Sequence, residues 1–160
     1  MTSQLLIFGI LGIGTTIVAF RANWGLFTGG RTGPAGPVSL LEGVYYAVGI
    51  CSVILGWYFN VRYTHLYPNA NYINYTKMLF TNWASDSAAQ DYTIVNVLLL
   101  PLWTIVDGRR RGMRVPWIFF VMSLFTSLAF SMAIYLAFVE RVVRYERERS
   151  VESKTAYPQL

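Results

Sequence analysis

The chain runs for 23 residues without a charge from Trp117 to Val139. This stretch follows a short basic segment that contains Arg109, Arg110, Arg111 and Arg114. A helix of about 20 residues crosses the roughly 30 Å hydrocarbon core of a bilayer, so this stretch predicts a transmembrane helix. Side chains elsewhere in the chain therefore have to be interpreted with lipid as the solvent.

Three further apolar segments predict an all-α fold, an integral membrane bundle of four transmembrane helices with short loops in one domain, residues 1–160. The composition agrees, because 54% of the residues are hydrophobic and only 13% are charged. Four spans leave no room for a separate catalytic domain, so an enzyme is not the favoured interpretation. The predicted helices cover residues 5–20, 44–61, 92–106 and 116–139, and a charged helical extension covers residues 140–160.

The first two connections differ in composition. The segment Gly29–Pro37 is too rich in Gly and Pro for a helix, which predicts an ordered turn or surface loop. Ser39 and Glu42 form a capping-box pattern that opens the second helix. The second connection, Tyr67–Ala89, is rich in Asn, Tyr and Ser, and its part Ile73–Trp83 predicts a short interfacial helix.

The third helix carries its own signals for a bend and for both ends. Pro101 cannot donate a backbone hydrogen bond and frees the carbonyl of Val97, which predicts a kink. We expect Asp86 and Asp91 to precede the helix, with Asp91 as its N-terminal cap. Gly108 is the expected C-terminal cap.

Small residues predict how the helices pack, because they allow close approach of helices in lipid. The first and second helices carry such residues with the same spacing, which predicts that these two faces touch. The fourth helix carries a serine stripe and, on the opposite side, an alanine stripe; these serve either internal packing or the docking of a separate protein. The predicted packing residues are Gly9, Gly12, Thr16, Gly49, Ser52, Gly56, Ser123, Ser127 and Ser131.

The third helix also carries the best candidate ligand-binding residues. Tyr92, Asn96, Trp103 and Asp107 form a polar and aromatic stripe along it. One interpretation is that Asn96 donates a single interhelical hydrogen bond and Trp103 lies at the membrane interface. The alternative is a track that a ligand uses, with Trp57 as a further aromatic candidate.

His65 is the only histidine and Cys51 the only cysteine. A bis-histidine haem therefore cannot be built from one chain, and a zinc site lacks partners. We expect no metal site and a surface or interfacial histidine; the alternative is a ligand at a subunit boundary. The uncharged cores contain no ionisable side chain, so the sequence offers no relay for protons or ions.

The basic segment before the fourth helix bears on orientation. Its four arginines suit anionic lipid headgroups, and nothing in the sequence indicates nucleic-acid binding. The positive-inside rule favours a cytoplasmic loop at residues 107–116, with both termini on the outer side of a bacterial inner membrane. The basic residues of the tail oppose this assignment.

Several features occur in the order seen in a known family. They are Phe80-Thr81-Asn82, Asp91 before a helix, the basic motif that runs from Asp107 through Gly112-Met113-Arg114 to Trp117, and a long final helix with charged residues at its end. From Val44 to Arg141 the chain resembles a bacterial family of small membrane proteins known only as a domain of unknown function. The resemblance implies a fold and no activity.

Three functions remain open from the sequence. The first is a non-catalytic accessory or stabilising subunit of an energy-transducing or transport complex, with other membrane subunits and lipids as partners. The second is a bundle that binds an apolar small molecule, namely a lipid, quinone or carotenoid, with or without modifying it. The third, a small channel or transporter, has the least support because it needs a continuous polar path.

Overall fold

The computed structural model describes residues 3–28 and 37–156, and this part of the chain is built from helices, with no strand. The all-α class is therefore confirmed. Three of these helices, Ser3–Ala22, Leu40–Leu66 and Trp83–Arg110, are long and apolar enough to cross a membrane, which indicates a membrane protein. The helices are α1 (Ser3–Ala22), α2 (Leu40–Leu66), α3 (Tyr72–Leu79), α4 (Trp83–Arg110), α5 (Ile118–Phe125) and α6 (Leu128–Ala156).

The second helix begins at the predicted capping box. The backbone N–H of Glu42 donates to Ser39 Oγ at 3.1 Å, and the N–H of Ser39 donates to the Glu42 carboxylate at 3.4 Å. These reciprocal bonds satisfy N–H groups that a helix start leaves unpaired, so α2 begins earlier than the apolar run itself. The predicted turn at Gly29–Pro37 lies outside the described residues, except for Pro37.

Helix α4 contains the predicted third span but starts at Trp83, well before the predicted boundary at residue 92. Asn82 caps it, because its side chain accepts hydrogen bonds from the N–H groups of Ala84 and Ser85, both at 3.1 Å. The residues that follow favour a helix, so the polar segment joins the apolar one without a break. The expectation that Asp91 caps this helix is wrong, since Asp86 and Asp91 both lie inside α4. A short helix is present in the region predicted for one, Ile73–Trp83, as α3, which ends at Leu79.

A single π-helical turn, Val95–Leu99, interrupts α4 just before Pro101. The wider turn accommodates a proline ring that would otherwise clash with the carbonyl of Val97, so the irregularity lies where the sequence predicts it. The predicted C-terminal cap at Gly108 is wrong, because this residue is helical and α4 continues to Arg110.

The turn that follows α4 uses a different glycine. Gly112 has a φ of 69°, a conformation that glycine adopts readily. Gly108 is needed for a different reason: a Cβ added there would lie 2.8 Å from the Cβ of Pro116. The absent side chain therefore allows the basic loop to fold back onto α4.

The fourth predicted span is broken at Thr126 and Ser127. Thr126 Oγ1 donates to the carbonyl of Met122 at 2.7 Å, and Ser127 Oγ accepts from the N–H of Phe130 at 3.0 Å. Ser127 is thus the N-terminal cap of α6, and the Thr126 hydroxyl adds a second hydrogen bond to the Met122 carbonyl, which also accepts from the N–H of Thr126. The apolar run therefore forms two helices.

These two helices form a hairpin, because α6 runs back along α5. The hydroxyl of Ser131 donates to the carbonyl of Phe119, and the Phe119 ring lies 5.1 Å from Tyr135 and 5.6 Å from Phe138. Since Phe119 lies in the first turn of α5, the chain has returned to its starting level by Phe138. The eight residues of α5 rise only about 12 Å. The prediction of one transmembrane helix over residues 116–139 is therefore wrong.

The basic end of the bundle is the end that holds Ala22, Leu40 and Arg110. Here Asn23 joins the first and third connections. Its Oδ1 accepts from the N–H of Arg114 at 2.8 Å, and its Nδ2 donates to the Arg114 carbonyl at 3.0 Å. Both connections therefore lie at the same end.

The distal end is the opposite end, which holds Ser3, Leu66 and Trp83. The N–H of Tyr72 donates to the side-chain oxygen of Gln4 at 3.3 Å, which places the start of α1 beside the second connection.

The start and the finish of the described chain lie at opposite ends. Arg141 on α6 binds Glu42 at the basic end, at 2.7 Å. The described chain therefore does not begin and finish at the same end of the bundle, as the prediction that both termini share one side requires, because the hairpin returns it to the basic end. The helix then continues to Ala156, which confirms the charged helical extension; residues 157–160 lie outside the described part.

The hydrophobic core lies in the half of the bundle next to the basic end. There α1 packs on α5, and α2 packs on α6. In the three long helices only 11–22% of the positions are buried, so most of their surface is available to lipid or to a partner. The buried core residues include Ala19, Leu26, Phe119, Met122, Tyr135 and Phe138.

Candidate ligand-binding cleft

An open cleft of about 1070 Å³ lies between α2, α4 and the hairpin. One wall is α4, from Tyr92 to Arg110. Ser52 and Leu55 of α2 line the opposite wall, and Ala129 and Met132 of α6 lie between the two. Most of the lining groups are hydrocarbon, and the polar ones are few. Such a composition is typical of a site for an apolar molecule.

The cleft exists because α2 and α4 pack on the hairpin more than on each other. The Oγ atoms of Ser52 and Ser127 lie 2.9 Å apart and join the middle of α2 to the break in the hairpin. On the other side, Ser123 Oγ donates to Asn96 Oδ1 of α4 at 2.7 Å. These two hydrogen bonds hold the walls at separate points of the hairpin and leave the space between them open.

The predicted polar stripe is divided between the cleft and the interior. Tyr92, Trp103 and Asp107 line the cleft, whereas Asn96 is only 5% exposed and points into the bundle. Asn96 lies in the π-helical turn, and its side chain contacts Ser123 of the hairpin. It makes one interhelical hydrogen bond, as expected, but as the acceptor, because the hydroxyl of Ser123 donates to its side-chain oxygen. Its Nδ2 lies 3.4 Å from the hydroxyl of Tyr92.

Charged groups lie at the basic end of the cleft. Arg111 Nε donates to the carboxylate of Asp107 at 2.8 Å, and the hydroxyl of Tyr135 donates to the same oxygen. The hydrogen bond to Asp107 raises the pKa of the Arg111 guanidinium above its ordinary value, so this pair stays charged. Arg110 lines the cleft beside it.

The four arginines predicted to meet lipid headgroups all belong to this end. Arg109, Arg110 and Arg114 are exposed, and Arg111 is half-buried. Only Arg110 of the four lines the cleft. The structure therefore separates one arginine that faces the cleft from neighbours that do not.

The small residues of α1 contact two different elements. A Cβ on Gly9 would lie 2.7 Å from the ring of Trp57, and one on Gly12 would lie 2.9 Å from Thr126 Cγ2. Thr16 Oγ1 lies 3.4 Å from the sulfur of Met122 on α5. Most of this face therefore packs on the hairpin.

The small residues of α2 also face the hairpin or open space. A Cβ on Gly49 would lie 3.3 Å from the ring of Phe130, whereas one on Gly56 would meet nothing within 4 Å. The predicted contact between the α1 and α2 faces is therefore wrong, apart from the Trp57 ring over Gly9. The hairpin occupies the space between the two helices.

The serine stripe of the fourth segment makes hydrogen bonds within the chain. Ser123 binds Asn96, Ser127 binds Ser52, and Ser131 binds the carbonyl of Phe119. Internal packing, the simpler of the two alternatives, explains all three hydroxyls.

The remaining candidates do not meet at the cleft. His65 is exposed near the end of α2, and Trp57 is half-buried against Gly9. Among residues 3–28 and 37–151, no three His, Cys, Asp or Glu side chains lie close enough together to hold a metal ion.

A buried ion cluster at the basic end is absent from the sequence-based candidates. Glu42 is fully buried; its carboxylate accepts from Arg141 Nε at 2.7 Å, from Arg144 Nη2 at 2.9 Å and from the Tyr46 hydroxyl at 3.1 Å. The ionisable groups thus lie just outside the uncharged cores. The only signal for this cluster in the sequence is the pair Arg141 and Arg144, one turn apart on the last helix. That this helix faces the capping glutamate is visible only in the structure.

The chain was compared with known proteins and families. No curated protein and no solved structure matches it. One family matches, described as "Protein of unknown function DUF2834", and its model covers residues 44–141. This is the range over which the sequence resembles a family of unknown function, and it includes every residue that lines the cleft. Because more than half of the chain is matched, the protein belongs to the DUF2834 family.

Proposed function

We propose that this chain is a bacterial inner-membrane protein that binds an apolar, lipid-like molecule in the cleft. The cleft itself is the observation that carries the proposal. Its volume of about 1070 Å³ is at the upper end of the range typical of small-molecule sites. A long hydrocarbon molecule therefore has room there, and the exposed position of the cleft allows it to enter sideways from the bilayer.

The shape of the bundle supports this function. We propose that α1, α2 and α4 span the membrane while the hairpin enters from the basic end and returns to it. Irregular backbone at membrane depth is tolerated where it is buried in protein or lines a cavity. The break at Thr126 and Ser127 meets that condition, because Ser127 lines the cleft and Gly12 packs against Thr126.

We further propose that the basic end faces the cytoplasm. Within the described chain, the basic residues of the distal end are only Arg62 and Lys77. The basic residues of the tail and those of residues 109–114 lie at the other end, so both groups favour the same orientation. This distribution follows the positive-inside rule. The basic residues of the described chain at the basic end are Arg21, Arg109, Arg110, Arg111, Arg114, Arg141, Arg144, Arg147, Arg149 and Lys154.

Filling the cleft is expected to abolish ligand retention. Ala129 is exposed and lines the cleft, so Ala129→Trp places an indole inside it. We expect retention of one phospholipid per chain to fall at least about tenfold, which corresponds to about 1.4 kcal/mol. The measurement is native mass spectrometry of the purified protein after incubation with dioleoyl phosphatidylcholine or dioleoyl phosphatidylglycerol.

The matched control is Ala47→Trp, an exposed position on α2 that does not line the cleft. We expect this variant to retain lipid as the wild type does. Equal retention by the two variants would contradict the proposed site.

A second function, a non-catalytic accessory subunit of a larger membrane complex, is favoured by two glycines. Cβ atoms added at Gly14 or Gly56 would meet nothing within 4 Å, so both positions permit close approach by another helix. Affinity purification from the native membrane in mild detergent tests this function. Stoichiometric partner subunits that are lost in Gly56→Leu would support it, and purification of the chain alone would oppose it.

A further inference from the structure

We infer that the occupant of the cleft is an anionic phospholipid whose headgroup phosphate binds Arg110. This inference rests on the proposed function, that the cleft holds a lipid-like molecule. It adds the chemical class of the headgroup, the leaflet from which the lipid comes and the residue that recognises it.

The charge at the basic end of the cleft favours an anionic ligand. Arg110 lines the cleft and is exposed, and it forms no ion pair within the described part of the chain. The neighbouring carboxylate of Asp107 is already bound by Arg111 and by the hydroxyl of Tyr135. Its negative charge is therefore compensated, and it leaves Arg110 available to an anion.

The guanidinium of Arg110 is chemically suited to a phosphate group. A guanidinium offers several N–H donors in one plane, a geometry that matches two oxygens of a phosphate group. Arg109 and Arg114 add positive charge nearby, which attracts anionic lipids to this end without selecting one position. A carotenoid or a neutral quinone has no anionic group that could use the Arg110 donors. The charge of the site thus favours a phospholipid over those alternatives.

The apolar wall below Arg110 is about as deep as one leaflet of the bilayer. Eleven residues separate Arg110 from Leu99, which also lines the cleft, and this length of helix rises about 16 Å. One leaflet of the hydrocarbon core is about 15 Å deep. An acyl chain that hangs from a headgroup at Arg110 can therefore run along Val106, Trp103 and Leu99. The lipid would come from the leaflet at the basic end.

Replacing Arg110 tests the headgroup separately from the cleft. The wild type is expected to retain dioleoyl phosphatidylglycerol in preference to dioleoyl phosphatidylcholine in native mass spectrometry. Arg110→Gln removes one charge-assisted contact, so we expect this preference to fall about tenfold. Retention of phosphatidylcholine is expected to fall less, because the choline cation already offsets the charge of its phosphate and the apolar wall stays intact.

Arg109→Gln is the matched control, since this exposed neighbour does not line the cleft. It removes the same charge from the same helix turn and should lower the preference by less than about twofold if Arg110 acts through a specific contact. An equal loss in both variants, or none in Arg110→Gln, would overturn the headgroup assignment. Failure of the proposed function looks different: Ala129→Trp would then retain both lipids as Ala47→Trp does.

Discussion

Glu42→Gln is expected to lower the free energy of unfolding by about 3–5 kcal/mol. Within the described part of the chain, the carboxylate of Glu42 is the one anion that pairs with Arg141 and Arg144, and it is completely buried. Glutamine keeps the size of the side chain but leaves Arg141, which is 4% exposed, without a compensating charge. The cost is thus mainly that of an unpaired buried cation.

Thermal or denaturant unfolding of the purified protein in one fixed detergent measures this effect. Glu146→Gln is the control, because Glu146 is exposed on the same helix as the two arginines. We expect it to change the stability by no more than about 0.5 kcal/mol. If the two variants unfold alike, the buried cluster does not hold the middle of α6 against α2.

Gly12→Leu is expected to destabilise the fold by about 1–3 kcal/mol through overpacking. A Cβ at this position would lie 2.9 Å from Thr126 Cγ2 and 3.2 Å from the carbonyl oxygen of Phe125. The second contact is with backbone, so the turn of the hairpin itself has to move away from α1. We expect both a lower unfolding temperature and a lower yield of folded protein.

Gly56→Leu provides a matched comparison, because the same change at Gly56 meets nothing within 4 Å. We expect it to unfold at the wild-type temperature when the chain is purified alone. The sequence does not separate the two glycines, because each belongs to a pattern of small residues with the same spacing. A larger loss of stability for Gly56→Leu than for Gly12→Leu would contradict the packing of the hairpin on α1.

The sequence predicts the helices better than the path of the last one. Apolar runs, the capping box at Ser39 and the proline at position 101 are local signals, and the structure contains a feature at each of them. The break at Thr126 and Ser127 has no comparable signal, because Ser and Thr also occur inside packed transmembrane helices. It depends on distant partners, Ser52 for the turn and Glu42 for the middle of α6.

The cleft shows the same division. Tyr92, Trp103, Ser52 and Ser127 are all candidates from the sequence, and the structure brings them to one cleft. Their common location is not predictable from helix periodicity, since the same spacing groups Asn96 with Tyr92 and Trp103, whereas Asn96 is buried against Ser123. Which helices leave a gap follows from the hairpin, and the hairpin is a tertiary feature.

The side of the membrane reached by the tail tests the hairpin most directly. Single cysteines are introduced at Asn69, Arg114 and Glu148, all exposed positions, in a Cys51→Ala background. A membrane-impermeant maleimide is then applied to sealed vesicles of each orientation. We expect Glu148→Cys to react from the same side as Arg114→Cys and from the side opposite to Asn69→Cys. Reaction of Glu148→Cys together with Asn69→Cys would mean that the last apolar segment crosses the membrane, and it would contradict the hairpin and the cleft built on it.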